Sequence, residues 1–448
     1  MIDVAKLAGN VSEPNFVKAR RDILSAFNAS LESIDPYKSV LNFVKVENGV
    51  LLVKSKAFEL TNFDKIRLIA FGKASIKMAE AILSIIDVNE GVIISPEEGA
   101  HQFKNIEYIK GGHPIPDENS LKAGAAILDL ASKTTEKDLT IVLISGGGSA
   151  LVEAPLISLD ELQILTKTLM QRGADINELN TVRKHLSRIK GGRLLKKMKG
   201  TVLSFIISDV IKDPLDVIAS GPTFYDSSTY SDARSVLKKY ELEEEFKDVK
   251  SIFERGARGE LEETLKVDDK INCSFENFLV ATNSIATKTI ANFLHSEGYS
   301  ILYLGSSIEG IAAEVAKVIA GVGHSVSIGD IPLKLPAAIV FGGETTVVVK
   351  GDGIGGRNTE FALQIANLIK TYNFVFASIG TDGIDGVSPA AGAISDSLTI
   401  QRANAMGLDP KAYLRRNDSY TFFEKLGDAI ITDRTGTNVA DVAVLIVI

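Results

Sequence analysis

The chain has 448 residues, more than one hydrophobic core holds, because single cores stop growing at about 250–300 residues and longer chains divide into domains. Its content of 45% hydrophobic and 24% charged residues is that of a globular protein that fills its cores without disulfides or structural metals, and it excludes disorder. A formal net charge of −8 argues against general nucleic-acid binding, which draws affinity from lysine and arginine on phosphates. The single cysteine, Cys273, has no disulfide or cluster partner and reads as a small buried apolar residue in a reducing compartment. Residues Met1 to Asn10 lack the basic end and long apolar run of a signal peptide. No apolar stretch reaches the roughly 20 residues that cross a bilayer. A soluble cytoplasmic protein without membrane or nucleic-acid partners is expected.

Short β-rich apolar runs alternate with helix-length amphipathic segments, the pattern of parallel sheets with helices on both faces, so the fold class is α/β. In the first half, strands are predicted at residues 66–71, 91–95, 106–110, 140–145 and 202–208. The basic run 183–199, with Leu186, Ile189, Leu194, Leu195 and Met198 interleaved, predicts an amphipathic helix whose basic side is a solvated face, the alternative being phosphate or substrate contact from its first residues. Residues 230–270 form a charged helical connector. Beyond it, strands are predicted at 275–281, 301–304, 338–341, 346–349, 374–379 and 442–448. The division falls near Asn272, giving domains 1–271 and 272–448, each a mainly parallel sheet flanked by helices.

Ligands of open α/β sheets sit beyond the carboxyl ends of the strands, so the glycine and polar segments there are the places for chemistry. In IRLIAFGKASIKMAEAIL a strand runs through Gly72 into Lys73 and a helix, which sets a cation and free N–H groups together as an anion site in outline. The alternative is a surface lysine after a tight turn. Arg67 and Ala74 stand where a Walker A loop needs glycine and serine or threonine. In TIVLISGGGSALVEAP, Gly146, Gly147 and Gly148 let the backbone approach a phosphate or carboxylate, and Ser149 adds a hydroxyl. Leu151 breaks the G-x-S-x-G elbow, which counts against a hydrolase. A triad of Ser149, His185 and Asp209 can be assembled on paper, but His113 and His185 read as structural histidines, and GGHPIPD as a proline-fixed loop. In FIISDVIKDPLDVIASGPT, Asp209 ends a strand and is equally a loop carboxylate or a holder of Mg²⁺ or a substrate hydroxyl, with Asp213 and Asp216 following.

The densest cluster is IVFGGETTVVVKGDGIGGRNTEFALQIANLI. Gly351, Gly353 and Gly356 satisfy G-x-G-x-x-G between a strand and a helix, the context in which that fingerprint binds phosphate. Arg357 enters at the first helical turn, where a guanidinium clamps phosphate oxygens, and Glu344 lies on the neighbouring loop. Asp382 and Asp385 follow among glycines, and Asn438 in TGTNVADV; these tips converge with Arg357 if their strands are neighbours and are otherwise turn residues. Separated glycine loops, cations at two helix starts and loop carboxylates point to a phosphate-handling enzyme.

The segments GKAS, GGHPIPDENS, LISGGGSALVEAP, NTVRKHLSRIKGGRL, ISDVIKDPLDVIASGPT, GGETTVVVKGDGIGGRNTEFALQIA, GTDGIDGVSPAAGAISD and TGTNVADV, in this order, resemble the motifs of glycerate 2-kinases with a MOFRL domain, and the resemblance covers most of the chain. It implies a Rossmann-like N-terminal domain, a MOFRL-type α/β C-terminal domain and a site in the cleft between them. There the γ-phosphate of ATP, with Mg²⁺, passes to D-glycerate to give 2-phosphoglycerate and ADP. The family's usual candidates for the chemistry, the lysine of GKAS and the arginine of GGRN, match Lys73 and Arg357. The other matched positions carry over as substrate- or nucleotide-lining candidates: Gly72, Gly146, Gly147, Gly148, Ser149, Arg183, Asp209, Asn283, Glu344, Gly353, Gly355, Gly356, Asp382, Asp385 and Asn438. Asp209, Glu344 and Asp382 are the candidates for Mg²⁺. Two other expectations compete. One is an NAD(P)-dependent hydroxy-acid oxidoreductase, although Asp382 lies further on than the roughly 20 residues to a ribose-binding acid. The other is a non-catalytic nucleotide or sugar-phosphate sensor, for which the chain shows no output module. The open edge of a sheet makes a homodimer an expectation.

Overall fold

The computed structural model describes residues 1–98 and 103–448. They form two compact units, one of Pro36–Val280 and one of Met1–Asp35 with Ala281–Ile448. The α/β class expected from the alternating runs holds in both.

The first unit is built on a six-stranded sheet in the spatial order Ile106–Lys110, Glu90–Ser95, Lys65–Phe71, Asp138–Ile144, Gly200–Ile207, Cys273–Ala281. The first five pair in parallel. Asp138–Ile144 is buried along its whole length, as a central parallel strand covered on both faces must be, and its run LTIVLI supplies the apolar side chains. At the strand starts the buried Arg67 is held by Glu90 and Asp138, which satisfies a charge the sheet would otherwise not tolerate. The chain moves outward from Lys65–Phe71 and then returns to its other side as Asp138–Ile144. The order therefore reverses between these two strands, the place where open sheets bind ligands.

A three-stranded antiparallel sheet, Val44–Glu47, Val50–Val53 and Lys56–Glu59, precedes it and was not expected. The basic run 183–199 is not one helix: Ile176–His185 ends, Gly191 and Gly192 turn at φ 59° and 73°, and Arg193–Lys197 follows. The charged connector contains helices Tyr230–Lys239 and Lys247–Ala257, which bury Tyr230, Val249 and Phe253 with Leu165, Leu169 and Val182.

The second unit has the spatial order Ser300–Ile311, Ala337–Thr346, Asp441–Val447, Phe374–Gly380, Gly392–Asp396, Ala429–Ile430. Its sheet is mixed rather than mainly parallel. The first pair is parallel and every later pair is antiparallel, the final strand lying antiparallel between Ala337–Thr346 and Phe374–Gly380. A strand buried on both faces has the same apolar composition whichever way it runs, so the sequence pattern carries no direction here. The run expected at 338–341 extends into the strand Ala337–Thr346, and the strand expected at 346–349 is not formed, residues 347–349 lying outside any strand.

Two boundaries differ from the expected division near Asn272. Cys273–Ala281 completes the first sheet, where burial pushes the half-buried Cys273 thiol up to about 11, as for a packing residue. Residues 1–35 belong with the second unit. Helix Pro14–Ser33 inserts the fully buried Arg20 between Asp396 and Asp428, and its Nε donates to the Leu7 carbonyl. A buried guanidinium needs such a set of acceptors, and the two aspartates come from chain 376 and 408 residues away. Among the described residues no helix is long and apolar enough to cross a membrane.

Candidate active site

In the first unit the paired ends of Lys65–Phe71 and Asp138–Ile144 bring the Gly72–Lys73 and Ser145–Ser149 segments side by side. Lys73 N donates to Gly146 O at 2.9 Å, and Ala74 N to Ser145 Oγ at 3.0 Å. Gly72 sits at φ +126°, and a Cβ there would lie 2.1 Å from Ser145 Oγ, so glycine is required for the junction to close. The Lys73 side chain is exposed and has no hydrogen-bond or ion-pair partner among the described residues. Gly147, at φ +84°, begins the short helix Gly148–Leu151. A Cβ on Gly147 would meet His113 Nε2 at 3.0 Å and Lys73 Cε at 3.4 Å, and one on Gly146 would meet Asp209 Oδ2 at 2.1 Å. Gly148 is needed for packing: a Cβ there would be 2.9 Å from Phe71 and from Ala219.

The glycine loop is braced from below by buried charge. Arg183 Nη2 donates to Ser149 O at 2.7 Å and reaches Glu153 Oε1 at 3.1 Å; the same oxygen takes Lys190 Nζ at 2.7 Å. Burial pushes the Lys190 ammonium down to about 8, with Glu153 working in the opposite sense. Ser149 Oγ shares a 2.8 Å hydrogen bond with Ser220 Oγ, which donates to Asn180 Oδ1 at 3.1 Å. Lys212, Asp213, Ala219 and Ser220 all have positive φ, so the segment after Asp209 is locally strained, as site loops often are. The paper triad is not formed. His185 is bound at both ring nitrogens, to Thr181 O at 2.7 Å and Glu263 Oε1 at 2.9 Å, and is structural.

The second unit holds the other cluster. Arg357, first residue of helix Arg357–Leu368, grips buried Asp441 through Nε at 2.5 Å and Nη2 at 2.9 Å, while Nη1 meets the half-exposed Glu344 at 2.8 Å. Burial pushes the Asp441 carboxyl up to about 6, Arg357 pulling it the other way. Asp382 lies close by: a Cβ on Gly380 would be 3.3 Å from Asp382 Oδ1 and 3.5 Å from Asp441 Oδ1. Asn283 Nδ2 donates to Val439 O and Asp441 O at 2.8 Å each, holding the Asn438–Asp441 segment, and Asn438 Oδ1 caps Ala440 N at 2.9 Å.

The G-x-G-x-x-G loop is packed closely against its own chain. Gly351 N donates to Asn417 Oδ1, Gly353 N to Arg416 O and Ile354 N to Asp418 Oδ1, so these three donors are spent on the protein. A Cβ at Gly351, Gly353, Gly355 or Gly356 would lie 2.4 Å from a neighbouring atom, which makes these glycines packing requirements. The helix N-terminus is filled by Asp385, which accepts from Asn358 N at 2.9 Å and from Thr359 N and Oγ1 at 2.8 Å. Asp385 is therefore a remote N-cap.

Of the expected residues, the structure brings Gly72, Lys73, Gly146, Gly147, Gly148, Ser149, Arg183 and Asp209 together in the first unit. Asn283, Glu344, Arg357, Asp382, Asp385 and Asn438 gather in the second. Among the described residues no group of three histidine, cysteine or acidic side chains is arranged to hold a metal ion; of the single-carboxylate candidates, Asp209 lies in the first unit and Glu344 and Asp382 in the second. Sequence reasoning passed over Asp441, Glu153, Lys190 and Ser220. The available signal was a carboxylate or ammonium inside an otherwise apolar run, as in ALVEAP and VADVAVLIV.

Fold and site define a two-unit α/β protein with an exposed lysine, unpaired among the described residues, between glycine loops at a topological switch point. A domain of unknown function (DUF4147) matches residues 22–254, and the MOFRL family matches residues 337–441. Glycerate 2-kinase of Pyrococcus horikoshii is 40% identical over 422 residues, covering 93% of this chain and 95% of that protein. The crystal structure of a glycerate kinase from Thermotoga maritima superposes with a TM-score of 0.83 at 37% identity, covering 95% of this chain and 98% of that one. A protein of Agrobacterium vitis provisionally named hydroxypyruvate reductase is 35% identical over 442 residues, covering 97% and 95%. The chain belongs to the glycerate 2-kinase family with a MOFRL domain.

Proposed function

We propose that this chain transfers the γ-phosphate of MgATP to the C2 hydroxyl of D-glycerate, giving 2-phosphoglycerate and ADP, in the cytoplasm. The observation that carries the reading is Lys73, an exposed ammonium without a partner among the described residues, set where two glycine segments meet at the strand-order reversal. Phosphoryl transfer asks for positioning and charge neutralisation rather than covalent chemistry, and a free cation beside closely approachable backbone supplies both. The Gly146–Ser149 backbone serves a nucleotide phosphate or the glycerate carboxylate; both are oxyanions that accept from backbone N–H groups.

Arg357 has a different part. Its bidentate contact with Asp441 fixes the guanidinium plane, while the arm on the solvent-facing Glu344 is the exchangeable one. A phosphate oxygen replacing Glu344 would find an arm already aimed. Mg²⁺ arrives on the nucleotide phosphates, as is usual for this hard, reluctantly dehydrated ion, and no residue here is assigned to cage it. The oxidoreductase reading is weakened at its motif, because the Gly351, Gly353 and Ile354 N–H groups are already bonded within the protein.

The test is ADP release from purified protein with D-glycerate and MgATP, followed by phosphorus NMR of the product. ADP dependent on D-glycerate with phosphate on C2 is expected. Ligand-induced stabilisation without turnover would favour the sensor, and NADH consumption with hydroxypyruvate would favour the reductase.

A further inference from the structure

We propose that His113 is the base that takes the hydroxyl proton as the substrate oxygen attacks the γ-phosphorus, an inference that rests on the kinase reading above. His113 lies between strand Ile106–Lys110 and helix Glu118–Ser132. The loop is fixed on both sides: Gly112 N donates to Asp117 Oδ1 at 3.1 Å and to Ser120 Oγ at 3.2 Å, and Gln163 Nε2 donates to Pro116 O at 2.6 Å. The imidazole is thereby carried over Gly147, where a Cβ would lie 2.9 Å from Cδ2 and 3.0 Å from Nε2. The same point is 3.4 Å from Lys73 Cε, so the imidazole and the free lysine flank one glycine of the anion-ready loop.

Among the described residues neither ring nitrogen of His113 has a hydrogen-bond partner, whereas both nitrogens of His185 are bound. A structural role consumes ring nitrogens; His113 keeps its own available. The charged groups placed near it are Lys73, across Gly147, and Asp117, in its own loop. Asp117 is spent on capping its helix, and Asp209 lies against Gly146. Burial first, and then the Lys73 charge, push the imidazole below its ordinary value, so it is neutral at pH 7 and accepts a proton rather than clamping an anion.

In the step, the hydroxyl oxygen bonds to the γ-phosphorus and its proton passes to His113 Nε2. The bond from phosphorus to the bridging oxygen breaks, and its electron pair leaves on ADP. The imidazolium beside Lys73 then returns the proton to water.

The test uses full-length His113→Gln and His113→Asn in the D-glycerate and MgATP assay. Removal of a general base lowers kcat by about 10²–10⁴-fold, and KM for glycerate stays within about threefold because binding is not its task. In the wild type kcat/KM falls as pH drops through an apparent pKa below 6.5, the ordinary imidazole value, and this limb is absent from both variants. NMR titration of the imidazoles, only 5 in the chain, identifies His113 by its loss from the variant spectra and places its pKa below 6.5. A near-wild-type kcat, a rise confined to KM, a persisting acid limb, or titration above the ordinary value would each overturn the assignment while leaving an active kinase. A wild-type protein without glycerate-dependent ADP release would overturn the kinase reading and this one together.

Discussion

Asp385→Ala separates two opposed accounts of the helix start at Gly356–Arg357. The Asp385 carboxylate accepts from Asn358 N at 2.9 Å, Thr359 N at 2.8 Å, Thr359 Oγ1 at 2.8 Å and Asn358 Nδ2 at 3.3 Å. Loss of an N-cap acceptor costs about 0.5–2 kcal/mol, and a buried donor left unpaired adds about 1–3 kcal/mol. Burial raises the Asp385 carboxyl above its usual range, with the helix donors working the other way, so removing it returns some desolvation energy. The net expectation is a local loss of about 3 kcal/mol. A chain of two units does not unfold in one step, so the readout is hydrogen exchange at the amides of helix Arg357–Leu368 in the full-length protein. Protection at Asn358 and Thr359 should fall roughly a hundredfold, the equivalent of that loss. Unchanged exchange, with ATP binding tightened by removal of the negative charge, would refute the capping account and return the helix start to phosphate binding.

Lys73→Ala should lower kcat by about 10²–10³-fold, the scale of losing one preorganised charge at a developing oxyanion, with nucleotide affinity from equilibrium binding little changed; wild-type turnover would remove Lys73 from the chemistry. In Arg357→Ala, Asp441 loses its counter-charge. Its folded pKa of about 6 already exceeds the ordinary carboxylate value of 3.8, so its favourable contribution is full below 3.8 and is lost as pH rises through about 6. The variant's stability deficit should therefore be small in acid and grow towards neutrality, as denaturant titrations at several pH values would show. Glu263 carries the opposite sign. Burial raises it, but the His185 hydrogen bond and charge and the N–H groups of Tyr230 and Thr264 outweigh burial and hold it at about 2, below its usual 4.5. Its contribution is present above 4.5 and lost as pH falls towards 2. His185→Gln should flatten that acid limb, and an unaltered limb would place the titration elsewhere.

The strand-ending motifs of the first unit were legible because each uses local chemistry: an apolar run, then glycine, then a cation or hydroxyl. Lys73, Gly146, Gly147 and Ser149 are found where those motifs put them. The same rule misled at GDGIGG. Glycine spacing reports that a backbone is approached closely, but not by what, and the approaching group is the Arg416–Ser419 segment rather than a phosphate. His113 illustrates the converse. Its proline-fixed loop was visible, while its place over Gly147 depends on a glycine 34 positions later being at the end of an adjacent strand pair.

By itself the sequence determined the α/β class, most strand positions and the two motif clusters, since hydrophobic periodicity and glycine chemistry act over a few residues. Tertiary structure alone decided what depends on partners remote in the chain. Arg20 ties the first helix to Asp396 and Asp428, assigning residues 1–35 to the second unit. The last strand enters the middle of its sheet antiparallel to both neighbours. Asp385 fills the helix start that the fingerprint reserved for phosphate. A buried charge, a strand direction and a cap are each satisfied by whatever the fold brings near, and nothing in the local sequence names that partner.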